Sequence, residues 1–219
     1  MKDTVENPRV VTIYMEQTPN PNALMFVTNL LLLPEGSVDY TNKSEAVYCP
    51  LASQLFDFTG VKNVFISSNF VTVTKVADLD WWEIQNIVRE FIRGFLLAGD
   101  AIFSKDPFDA KTLQQVKITE AAKTETVNTK PETINAKPVS VASTPELEEQ
   151  IKQILDEYVK PAVAQDGGAI DFKSFEDGVV TVTLKGSCSG CPSSTQTLKA
   201  GIERLLKQMM PSVTEVVAE

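Results

Sequence analysis

Hydrophobic residues recur with clear periods in two stretches of the chain, residues 1–103 and 144–219, and lose that order in between. In the first stretch, residues 10–14 and 24–28 are β-branched or aromatic runs on either side of a Pro/Asn-rich turn, which predicts two strands. Residues 50–56 predict a short helix. Residues 61–66 and 70–76 predict a hairpin turning at Ser67-Ser68-Asn69. Ile84, Ile87, Val88, Phe91 and Phe95 then fall on one face of a helix, with Asp80 placed to cap its start.

The second stretch opens on Thr144-Pro145 followed by Glu146, Glu148 and Glu149, the composition of a capped helix start with its dipole complemented. Leu147, Ile151, Ile154, Leu155, Tyr158 and Val159 supply one apolar face, and Asp166-Gly167-Gly168 ends the helix. Residues 170–175 and 179–184 predict strands joined at Glu176-Asp177-Gly178. A further helix starts near Ser193 and buries Leu198, Ile202, Leu205, Leu206 and Met209, and residues 213–217 can add a last strand. Each stretch therefore reads as a small α+β domain.

Residues 104–143 are rich in Lys, Thr, Ala, Glu and Pro, with no aromatic residue after Phe108. Such a segment buries too little apolar surface to offset the entropy of ordering it, so it reads as a flexible linker between the domains. The charges agree with that division. Residues 1–103 carry 7 basic and 12 acidic side chains, residues 104–143 carry 6 and 5, and residues 144–219 carry 7 and 12. A net charge of -9 excludes a general nucleic-acid binder and disfavours an anionic membrane as partner. The first residues are mixed in charge and lack an apolar core, unlike a signal peptide, and are not Arg-rich like a transit peptide. No apolar run reaches bilayer length. The expectation is a cytoplasmic protein.

The chain has no histidine, which removes the commonest general base and every His-ligated metal site. Metal chemistry falls to carboxylates and to the cysteines, Cys49, Cys188 and Cys191. Three cysteines do not make a disulfide framework, and a reducing compartment suits them. Cys49, just before Pro50, reads as a small core residue more readily than as a third ligand. Cys188 and Cys191 stand in Gly186-Ser187-Cys188-Ser189-Gly190-Cys191-Pro192-Ser193-Ser194. The glycines let the backbone bend tightly. Ser193 or Ser194 can cap the following helix, whose positive end then favours thiolates on a surface loop.

Three chemistries fit a Cys-x-x-Cys loop. A thioredoxin-like dithiol needs more sheet after the motif than the 28 residues that follow Cys191 provide. Structural zinc needs four ligands and only two are at hand, so a zinc would have to be shared between two chains. A cubane iron–sulfur cluster usually takes four cysteines, so two copies of the chain would have to meet around it.

The motifs in order carry a resemblance. Asp166-Gly167-Gly168, the 186–194 loop, Thr197-Leu198-Lys199 and Gly201-Ile202-Glu203 resemble the C-terminal domain of NifU and the Nfu proteins. Gln17-Thr18-Pro19-Asn20-Pro21-Asn22-Ala23-Leu24, Pro50-Leu51-Ala52, Gly60-Val61 and Asn69-Phe70-Val71-Thr72-Val73-Thr74-Lys75 resemble the N-terminal domain that accompanies it. The chain departs from the pattern at Lys160, where Arg is usual before Pro161, and at Ala169, where an acidic residue is frequent. The resemblance implies a non-enzymatic scaffold and carrier: a homodimer bridged by a [4Fe-4S] cluster, held by Cys188 and Cys191 of each chain. It also implies upstream cluster-assembly proteins as donors and apo iron–sulfur proteins as clients, the first domain serving recognition.

Overall fold

The computed structural model describes residues 10–109, 145–189 and 192–218, with only the backbone at 192–194. The first nine residues, most of the expected linker, the Thr144 cap and Cys191 lie outside the described residues. The chain divides into two compact units, Met1–Thr112 and Leu113–Glu219, each of α+β construction as expected.

Unit 1 is a five-stranded antiparallel sheet in the order β1-β2-β5-β4-β3, with strands β1 (Ile13–Gln17), β2 (Ala23–Thr28), β3 (Leu33–Tyr40), β4 (Val61–Ser68) and β5 (Phe70–Lys75). A single turn of 3-10 helix (Glu45–Tyr48) and α1 (Pro50–Leu55) precede β4, and α2 (Trp81–Ala98) follows β5. The central strands β2 and β5 are buried at every position, the pattern of a sheet interior. Asp80 caps α2 through its carboxylate, which accepts the Trp82 N–H at 3.1 Å.

Three details differ from the sequence reading. β1 runs three residues later than residues 10–14, because its extent is set by pairing, Ile13 opposite Thr28 through Gln17 opposite Leu24. The buried stripe of α2 is Val88, Ile92, Phe95 and Leu96, leaving Ile87 56 % exposed. β3 has no counterpart in the sequence reading, and its Pro34 and Gly36 disfavour a strand. Pro34 is tolerated because β3 is an edge strand and is irregular between Leu33 and Ser37.

Residues 104–109, the start of the expected linker, lie against this edge. Ser104 N–H donates to the Tyr48 carbonyl at 2.9 Å, Lys105 Nζ sits 4.0 Å from the Tyr48 ring centre, and the Phe108 ring fills the space a Cβ would need at Gly36.

Unit 2 begins with α3 (Pro145–Ile154), one turn of π-helix (Leu155–Val159) and α4 (Lys160–Gln165). The widened turn follows from Pro161, which lacks an N–H and crowds the carbonyl four residues before it. Lys160 N–H reaches back to the Leu155 carbonyl instead. This detour turns Tyr158 outward, 51 % exposed, where simple periodicity placed it in the core. The sheet order is β6-β7-β8: β6 (Gly168–Glu176) and β7 (Val179–Gly186) form a hairpin, and β8 (Glu215–Ala218) joins β7 in parallel. A parallel neighbour requires a crossover, and α5 (Pro192–Met209) supplies it. Ile151, Leu155, Ile170, Phe175, Val182, Leu206 and Val216 pack between helices and sheet, with Cys188 in the same core cluster.

Candidate functional site

The turn from β7 into α5 carries Cys188, and the end of α4 holds it in place. Gly167 takes a left-handed conformation (φ 77°), which closes the helix, and Gly168 then enters β6 directly opposite Gly186. A Cβ on Gly168 would sit 2.6 Å from the Lys185 carbonyl oxygen and 2.9 Å from Cys188 Sγ. No residue but glycine fits there. Ser187 ties the two segments together. Its N–H donates to the Gly167 carbonyl at 3.2 Å, and its hydroxyl donates to the Asp166 carbonyl. Ser189 then folds back, its N–H and Oγ both donating to the Gly186 carbonyl at 3.2 and 2.8 Å. Thr195 in the first turn of α5 donates its hydroxyl to the Cys188 carbonyl at 3.1 Å.

The Asp166-Gly167-Gly168 motif therefore does more than stop a helix, the only role the sequence reading gave it. The signal available was the second glycine, since one suffices to end a helix.

The environment of Cys188 corrects two expectations. The loop was expected at the surface, but Cys188 is only 6 % exposed, because Ser187 and Gly168 draw it inward. The thiol was expected to be favoured as thiolate. Burial instead pushes its pKa up, the Asp166 charge adds to the rise, and the nearby Ser187 hydroxyl, 3.7 Å from Sγ, partly offsets it. Burial thus favours the protonated thiol at Cys188. Among the described residues no three Cys, Asp or Glu side chains converge as a metal-binding group. Asp171, two residues beyond Ala169, is paired with Lys185 at 2.6 Å.

Cys49 is fully buried in unit 1, beside Tyr40, as the core reading has it. Trp81 packs edge-on against Phe26, with ring centres 6.4 Å apart, whereas Trp82 is 82 % exposed.

Comparison with known proteins gives matches in both units. The family model "Scaffold protein Nfu/NifU N terminal" matches residues 13–99, and "NifU-like domain" matches residues 151–217. The chain is 32% identical to the NifU-like protein C1709.19c of Schizosaccharomyces pombe, over 95% of this chain and 73% of that one. It is 34% identical to the human "NFU1 iron-sulfur cluster scaffold homolog, mitochondrial", over 95% of this chain and 72% of the human protein. It is 33% identical to the Arabidopsis thaliana "NifU-like protein 5, mitochondrial", over 98% and 70%.

The last two names overturn the expectation of a cytoplasmic protein. That expectation rested on composition and thiol count, which fit any reducing aqueous compartment, and on terminal residues that lie outside the described ones. Among the described residues no helix is long and apolar enough to cross a membrane.

Proposed function

The chain belongs to the Nfu/NifU family of iron–sulfur cluster scaffold proteins, and from that premise we propose that it carries a [4Fe-4S] cluster between two copies of itself and passes it to apo-proteins. Its role is that of a scaffold and carrier, not an enzyme.

The observation that carries the finer reading is the cradle around Cys188. Gly168, Gly186 and Ser187 fix the segment that carries Cys188 ahead of α5, and Cys191 follows three positions later in the sequence. The donor set suits iron and sulfide: thiols, no histidine, and a positive helix end nearby. Cys49 lies in the core of unit 1 as a packing residue. One chain thus offers half the thiolates of a cubane, and a second copy supplies the rest.

The cluster is cargo in this scheme. Burial favours the protonated form of Cys188, and a thiol that binds iron gives up its proton. Release is ligand exchange, with client thiols replacing carrier thiols one at a time. Donor assembly proteins and client apo-proteins are the partners this role requires.

Anaerobic reconstitution of a Cys188→Ser variant with iron and sulfide tests the assignment. Loss of the visible charge-transfer absorption is expected. Loading at the level of the unaltered chain would overturn it.

A further inference from the structure

Unit 1 treats its two sheet edges differently. β3 is blunted by the devices that stop a strand from pairing with a stranger: a proline, a register shift, and the segment 104–109 with Phe108 on Gly36. Among the described residues β1 has none of them. Its register against β2 is regular from Ile13 to Gln17, it holds no proline or glycine, and among the described residues no strand lies beyond it.

The direction of its free groups follows from the ladder. Asn29 N–H donates to the Thr12 carbonyl at 3.3 Å, so Thr12, Tyr14 and Glu16 turn their backbone groups toward β2. Ile13, Met15 and Gln17 therefore turn theirs outward, a row ready to accept another strand.

The C-terminal end of this edge runs into a groove of about 420 Å³, lined by Gln17, Thr18, Pro19, Asp80, Trp81 and Trp82 among others. Trp82, at 82 % exposure, stands out from it. Among the described residues Trp81 Nε1 finds no hydrogen-bond acceptor. Acidic groups outnumber basic ones here: Asp80 in the groove, Glu16 on β1 and Glu83 in the first turn of α2, against Lys75, whose Nζ lies 5.9 Å from the Trp81 ring centre and donates to Asn22 Oδ1.

We propose that β1 is a docking edge for an extended segment of another protein, rich in basic and β-branched residues. The segment adds to the sheet as a sixth strand beside Ile13, Met15 and Gln17 and places an apolar side chain in the tryptophan groove. Main-chain pairing supplies the affinity and the groove the selection. A second copy of this chain is the poorer occupant, because it brings the same acidic residues to the edge. This docking makes no use of Cys188 or of a cluster.

Both tryptophans of the chain line the groove, so intrinsic fluorescence reads occupancy directly. The probe is a capped seven-residue peptide of alternating lysine and valine, added to the cluster-free chain. A saturable change in emission is expected. It should be lost when the central valine of the peptide is replaced by proline, and when glutamate replaces the lysines. On the protein side, Gln17→Pro removes an outward N–H and should weaken binding at least tenfold, whereas Gln17→Ala keeps the N–H, loses only the side chain at the groove and should bind more tightly than Gln17→Pro. No saturable change, equal binding of the proline-containing peptide, or self-association through this edge without peptide would overturn the proposal. The peptide comparison stands even where Gln17→Pro fails to fold.

Discussion

Substituting alanine at two glycines of unit 2 should move stability in opposite directions. At Gly168 the added Cβ meets the Lys185 carbonyl oxygen at 2.6 Å, Cys188 Sγ at 2.9 Å and the Cys188 nitrogen at 3.3 Å. Two of those atoms are backbone, in β7 and in the loop it feeds, so relief requires prying β6 from β7. Overpacking of this kind costs about 1–3 kcal/mol. At Gly201, inside α5, a Cβ meets nothing within 4 Å. There the change removes only the entropic penalty of a helical glycine, a gain of roughly 0.5–1 kcal/mol. The two variants should therefore end about 1.5–4 kcal/mol apart. Because both tryptophans lie in unit 1, unit 2 is best followed by amide hydrogen exchange of β6 and β7 in increasing urea. Gly168→Ala should open the hairpin at lower urea and load less iron, and Gly201→Ala should open it later and load normally. Equal or greater protection of the hairpin in Gly168→Ala would refute the claim that this glycine exists to seat Cys188.

Further outcomes are expected in unit 1. Burial raises the Cys49 thiol from its ordinary 9.0 to about 11, so the folded unit holds a proton that the unfolded chain releases. Stability is unaffected below pH 9 and falls as pH rises from 9 toward 11, by about 1.4 kcal/mol per pH unit. Tryptophan-monitored urea unfolding should show this slope, and Cys49→Ala should lack it below pH 10, where the raised Tyr40 does not yet contribute. Asp80→Ala removes the acceptor of the Trp82 N–H and should cost about 1 kcal/mol in the same assay. Phe108→Ala should free residues 104–109 from Gly36 and Tyr48, seen as faster tryptic cleavage after Lys105; an unchanged rate would mean the ring does not hold the segment.

Much of the fold was legible where local chemistry and tertiary pairing agree. The turn at Asp177-Gly178, with both residues at positive φ, and the Asp80 cap are examples. Sequence reasoning failed where a distant partner decides. β3 is a strand because β4 offers it an edge, against the preference of Pro34 and Gly36. Tyr158 points outward because Pro161 forces a wide turn three residues before it, which shifts the helical phase. The motif containing Cys188 was plain from spacing and resemblance. Its inward seat was not, since that depends on Asp166 and Gly167, some twenty positions earlier, accepting hydrogen bonds from Ser187.

The most direct test of the account is native mass spectrometry of the anaerobically reconstituted chain, with iron and sulfide counted on the same sample. Two chains around a single cluster of four irons and four sulfides is the expected species. A lone chain holding a complete cluster, or a cluster-loaded dimer that persists when Cys188 and Cys191 are both serine, would contradict it.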